Sequence, residues 1–232
     1  MKEAFYRLAG YRKPGVIEVG QVGGVRDVVF GEVPRREERW DRFIDLSANY
    51  IKTQGRVSSC ACATMCGMME DILISKEKNK LIEIMWQPMW DEMKAMGIAS
   101  DETGSALLDN IWYAKERGVY DNRAIRWKID IVEKIPRADC EKFIRMGYQV
   151  FTGAMCGRPL CDKNWVFRLF QRVFGHGFRL CGLDFNQSFG NMLLAETTWK
   201  YFGLRKMSQF FYPVNATKKL MSCYVFTIKR AG

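Results

Sequence analysis

Thr53-Gln54-Gly55-Arg56-Val57-Ser58-Ser59-Cys60-Ala61-Cys62-Ala63-Thr64-Met65-Cys66-Gly67-Met68-Met69-Glu70 begins as a polar turn and becomes, at Ser59-Cys60, a run of small and apolar residues. Such a run suits a buried helix whose first residue is Cys60. A thiol at a helix start faces unpaired backbone N–H groups and the positive end of the helix dipole, which favour its thiolate. Three cysteines in seven residues are equally the mark of tight core packing, because free cysteine is commonly buried. Locally, Cys60, Cys62 and Cys66 are equivalent, and only the rest of the chain can separate them.

Downstream, the helical pattern runs to about Ser75 and breaks at Lys76-Glu77-Lys78-Asn79-Lys80. Leu81, Ile84, Met85, Met89, Met93 and Met96 recur near helical spacing, and Pro88 should start a new helix or kink this one. The methionines read as core filler. A turn at residues 101–105 caps a third helix, 106–117, which ends at Gly118. After about Asp121 the texture becomes that of strands at 129–132, 148–152, 177–183, 192–195, 210–212 and 223–228, with a short helix at 139–145. Upstream, 16–19 and 25–30 read as short strands around a glycine-rich turn whose spacing is not a dinucleotide fingerprint. The expectation is an α+β chain in two lobes. Its divisions are an N-terminal extension at 1–38, a helical lobe at 39–120 and a β-rich lobe at 121–232.

Composition excludes several classes. The 232 residues are 48% hydrophobic and 27% charged, enough for a substantial core and ordinary for a globular protein. No apolar run is long enough to span a membrane, and Met1-Lys2-Glu3-Ala4-Phe5-Tyr6-Arg7 lacks the apolar centre of a secretion signal. A cytoplasmic protein is expected. The eight cysteines form no dense disulfide framework or paired CxxC knuckles, and one histidine makes a structural zinc site a weak fit. No cofactor or metal is expected. Net charge is +10, and seven basic residues with no acidic ones lie between Trp199 and Gly232. A basic surface there would give weak electrostatic binding to acidic partners or nucleic acid, though no nucleic-acid-binding module is legible.

His176, the only histidine, lies in Gly175-His176-Gly177, immediately before an apolar strand. A cysteine at a helix start in one lobe and a histidine in the other would meet at a cleft, as a thiolate–imidazolium nucleophile requires. At this point the chain resembles the papain-like cysteine peptidases, of the compact kind found in phage and bacteria. Gln54-Gly55 followed by Ser59-Cys60 is similar to the family's Gln-Gly-x-x-x-Ser-Cys motif. Asp45-Leu46-Ser47 stands where the mature domain begins. Thr103-Gly104-Ser105 and the helix running to Gly118-Val119 resemble the family's Gly-Ser stretch and the helix after it. Gly175-His176-Gly177-Phe178 up to Gly182-Leu183-Asp184 resembles Gly-His-Ala-Val and Val-Gly-Tyr-Asp. Thr197-Thr198-Trp199 falls at Asn-Ser-Trp, and Phe211-Tyr212-Pro213 with Tyr224-Val225-Phe226 fit the last strands. The match runs in order over about residues 45 to 230.

The resemblance implies a papain-like fold with a helical N-terminal lobe, a barrel-like antiparallel β lobe and the active site in the cleft. It implies a protein or peptide substrate and a location in the bacterial or phage-infected cytoplasm, or in a virion. Cys60 would be the nucleophile, His176 its ion-pair partner and acid, and Gln54 the oxyanion donor. The sequence departs from the pattern at Ala61, where an aromatic residue is usual, and at Ser58, where a glycine is. The asparagine that orients the imidazole is replaced by Thr197, with Glu196, Asn186 or Asn191 as substitutes. Residues 1–38 are expected to resemble a pro-segment, and a virion structural or binding protein that has lost activity is the alternative.

Overall fold

In the computed structural model, residues 28–48, 52–54, 57–157, 160–168, 174–188, 190–198 and 208–232 are described. The expected strand at 16–19 lies outside them. The elements are β1 (Phe43–Asp45), α1 (Cys60–Glu77), α2 (Trp86–Ala95), α3 (Leu107–Glu116), β2 (Val119–Tyr120), β3 (Arg126–Ile135), α4 (Cys140–Arg145), β4 (Val150–Cys156), β5 (Phe174–Asp184), β6 (Met192–Glu196), β7 (Gln209–Pro213) and β8 (Cys223–Arg230).

Helix α1 starts at Cys60, as the sequence indicates, and ends where Lys78 turns left-handed at φ 55°. Every residue from Cys60 to Asp71 is buried, so α1 is a central helix with no solvent face over its first three turns. Its small residues matter because strands must approach it closely. Helix α2 is shorter than the methionine spacing suggests. Leu81, Ile84 and Met85 lie outside it, because the Ile84 N–H is taken by Glu70 Oε2 at 2.8 Å and the Met85 N–H by Tyr120 O at 2.8 Å. Pro88 sits in the first turn of α2, where a missing N–H costs nothing.

All strand pairs are antiparallel, in the order β2-β3-β8-β4-β5-β6-β7, and β1 adds to β5. Two large cores lie on opposite sides of this sheet, beside a small cluster of Cys181, Met192, Leu194 and Phe211. Tyr224, Phe226 and Ile228 of β8 join α1, α2 and α3 in one, while Cys223 and Val225 face Phe178, Leu180 and Tyr212 in the other. The alternation is the period-two pattern of a strand buried on both faces.

The expected strand at 25–30 is corrected over its described part. Residues 28–30 form no strand, and Val29 and Phe30 are exposed. The chain from 28 to 48 instead runs along the sheet with no regular structure apart from β1. Val33 is buried, its N–H donates to Glu133 Oε2 at 2.9 Å, and Arg35 pairs with the same carboxylate at 2.8 Å. The Tyr148 hydroxyl donates to Pro34 O at 2.7 Å, and β1 then joins the β5 edge.

Candidate active site

Three elements converge at the start of α1. The backbone N–H of Gly177, in β5, donates to Cys60 Sγ at 3.2 Å. This close approach needs a glycine: a Cβ at 177 would lie 3.2–3.3 Å from the Cα, Cβ and N of Ala61. Ala61, which departs from the usual aromatic residue, is therefore the small partner of an equally small strand residue. His176, the neighbour of Gly177, meets Thr197 just beyond β6, with Nε2 and Oγ1 2.5 Å apart. Register explains this meeting: Arg179 pairs with Glu196, which sets Thr197 beside Phe178 and diagonal to His176 on the same face.

The substitutes for Thr197 lie elsewhere. Asn186 and Asn191 are exposed at the far end of the β5–β6 hairpin, beyond the Asp184–Met192 pair. Eight residues of strand separate Asp184 from His176, a distance of roughly 26 Å at ~3.3 Å per residue. Glu196 points to the opposite face of β6 and binds Arg179, with Nε to Oε2 at 2.7 Å. Thr197 is thus the side chain brought to the imidazole.

Gln54 is 1% exposed and fixed on both sides. The Thr198 hydroxyl donates to its Oε1 at 2.6 Å, its Nε2 donates to Val57 O at 2.9 Å, and its own N–H reaches Thr198 O at 3.3 Å. Thr198 therefore decides which way the amide faces. Its role escaped the sequence reading, although it adjoins Thr197. Cys62 and Cys66 return to the core, their sulfurs 3.6 Å from Trp86 O and 3.7 Å from Met89 Sδ.

The electrostatics differ from those of an open helix terminus. Cys60 and His176 are both fully buried. Burial pushes the Cys60 thiol up to about 12, against the pull of the N–H groups of Gly177, Ala61 and Cys60 itself. Desolvation of a thiolate outweighs three backbone dipoles here. In this covered state the thiol holds its proton. Among the described residues, no group of His, Cys, Asp and Glu is placed to hold a metal, and no helix is long and apolar enough to cross a membrane.

A helical core packed on an antiparallel sheet in this order is the papain-like fold, and solved structures of cysteine proteases similar to this chain share it. Xylellain, a cysteine protease from Xylella fastidiosa, superposes with a TM-score of 0.69 at 13% identity, covering 95% of this chain and 96% of that one. Digestive procathepsin L 3 of Tenebrio molitor larval midgut gives 0.69 at 11% identity, covering 97% and 79%. Procathepsin B S9 from Trypanosoma congolense gives 0.69 at 9% identity, covering 99% and 89%. No protein-family model matches the sequence, and no curated protein matches it. The likeness is one of fold.

Proposed function

We propose that this chain is a cysteine-type peptidase. His176 takes the proton of Cys60, and the thiolate attacks the carbonyl carbon of a peptide bond. The resulting oxyanion receives the N–H of Cys60 and a Gln54 Nε2 N–H. As the C–N bond breaks, the His176 imidazolium gives its proton to the leaving amine and a thioester remains on Cys60. Water, deprotonated by His176, then attacks the thioester, releases the acid and returns the thiol. Thr197 holds Nε2 throughout, which leaves Nδ1 as the working nitrogen.

The observation that carries this reading is the pair of contacts on adjacent residues, Gly177 N–H to Cys60 Sγ and His176 Nε2 to Thr197 Oγ1. They set the sulfur against the backbone of the residue that follows the only histidine and the imidazole against Thr197, and this supports the reading. The substrate is a protein or peptide, and the enzyme works in the cytoplasm or with a virion. Weak attraction of acidic partners or nucleic acid by exposed residues such as Lys218 and Arg230 is a secondary part of the reading.

One observation favours a second reading, a papain-fold binding or virion structural protein without turnover: the Cys60 sulfur is fully covered, and that burial pushes its thiol pKa up. Labelling with an epoxide cysteine-protease probe separates the two. The peptidase reading expects label on Cys60 that disappears in Cys60→Ala, weakens in His176→Ala and persists in Cys62→Ala. An unlabelled wild-type chain, or label that survives Cys60→Ala, would sink it.

A further inference from the structure

Helix α1 carries two adjacent carboxylates, Glu70 and Asp71, 2% and 4% exposed, in a run that is otherwise mostly apolar. Successive helix residues point about 100° apart, so the two reach different neighbours. Glu70 Oε2 binds Lys52 Nζ at 2.6 Å, and Lys52 lies two residues before Gln54. Asp71 Oδ2 binds Arg179 Nη1 at 2.9 Å and Gln149 Nε2 at 2.7 Å. Arg179, three residues after His176, carries the connection onward: its Nε and Nη2 both donate to Glu196 Oε2, and Glu196 directly precedes Thr197. The passage for the guanidinium is built into the helix, because a Cβ at Gly67 would lie 3.1 Å from Arg179 Nη1. Lys52, Arg179, Glu196, Thr197 and Thr198 all border one cavity of about 10 Å³.

Such a cluster is a poor way to gain stability. Burying three carboxylates, a lysine and an arginine carries a large desolvation cost, and apolar residues of the same volume commonly serve as well or better. What ions add is direction. The planar guanidinium donates two N–H groups to Glu196 at fixed angles and meets Asp71 as an ion pair, and an apolar contact supplies neither. Each member of the Asp71–Arg179–Glu196 chain lies on an element that carries or adjoins a site residue: α1 with Cys60, β5 with His176 and the end of β6 with Thr197.

We propose that the Asp71–Arg179–Glu196 chain is the positioning device of the site, fixing α1 against β5 and keeping the Thr197 hydroxyl on His176. Its catalytic meaning rests on the peptidase reading above, but its structural consequence does not. Arg179 is a positioning residue and touches no substrate.

Because the chain has one histidine, its imidazole nitrogens are visible alone in the full-length protein by histidine-selective ¹⁵N NMR. The variants are Arg179→Lys, which keeps the charge and loses the fork, Glu196→Gln, and Arg179→Met. The activity probe is fluorescently labelled casein. In folded Arg179→Lys, kcat should fall roughly tenfold to a hundredfold, with KM within about twofold, and the His176 Nε2 signal and its titration should move. Glu196→Gln should move both in the same direction, so the inference stays testable if Arg179→Met fails to fold. A folded Arg179→Lys with lowered thermal stability but unchanged His176 signals would overturn it, since a purely structural role predicts that pattern. If wild type does not cleave casein, the peptidase reading fails by itself, and the His176 signals decide the positioning role alone.

Discussion

His176 Nε2 and Thr197 Oγ1 lie 2.5 Å apart in a fully buried setting, so the imidazole is held by a hydroxyl rather than by an amide oxygen. The difference is chemical. An amide oxygen only accepts and thereby fixes the proton on Nε2, whereas a hydroxyl can donate or accept and leaves both tautomers open. Thr197→Val should leave Nε2 without this partner, cost about 1–3 kcal/mol and lower kcat. Thr197→Asn should retain more activity than Thr197→Val. Equal turnover in the two variants, with both folded, would argue that the contact plays no part in catalysis.

Burial moves the Cys60 thiol from 9.0 to about 12, which makes a prediction about alkaline stability. The unfolded thiol loses its proton near 9, while the folded one keeps it until about 12. Between these values the unfolded chain binds fewer protons, so stability falls as pH rises; below 9 the group contributes nothing to the slope. Cys60→Ala removes this share. Urea midpoints taken at about pH 8.5 and about pH 10.5 should therefore drop less in the variant than in wild type. Other buried thiols such as Cys161 and Cys181 shift the same way but are common to both chains. A steeper drop in Cys60→Ala would contradict the covered, protonated thiol.

Gly177 is the point at which strand and helix touch. Gly177→Val places a branched side chain where even a Cβ comes within 3.2 Å of Ala61. Overpacking of this kind costs about 1–3 kcal/mol. A lower thermal midpoint together with loss of Cys60 labelling is expected, and a variant with wild-type labelling would show that β5 can retreat without consequence for the site.

The segment from 28 to 48 yields a contrast between two truncations. Deleting 1–38 removes Val33 from the core and Arg35 from Glu133. That chain should melt well below one lacking only 1–27, as thermal denaturation will show. If 1–38 behaves as a detachable inhibitory segment, the longer deletion should instead leave the midpoint unchanged and raise turnover.

Much of the fold could be read from residue patterns because its elements follow local rules. The Cys60 helix announces itself by small residues after a polar turn, and β8 by an apolar run ending in Lys229-Arg230. The helix start at Cys60 and the contact of His176 with Thr197 follow the order read along the chain. The segment from 28 to 48 was not, because its partners, Glu133, Tyr148 and β5, lie about a hundred or more residues away and no periodicity records them. Neither was the ionic chain behind the site, although it had a signal. Glu70 and Asp71 interrupt an apolar helix and Arg179 an apolar strand, and buried charges in such runs ask for partners. Cys60 shows a different limit: sequence placed it at a helix start, but only packing reveals that the start is sealed.

The position of β8 has a consequence for how the molecule is made. It is the last element of the described chain to be synthesised, yet it lies inside the sheet between β3 and β4 and separates the two cores. Until it emerges from the ribosome, the edges of β3 and β4 that it will cover stay unpaired, and unpaired edges invite aggregation. Folding must therefore finish by threading the newest strand into the middle of an assembly that already waits for it. A chain stopped before Cys223 should be degraded rather than partly active, and pulse-chase proteolysis of stalled nascent chains would reveal protection only once β8 has cleared the exit tunnel.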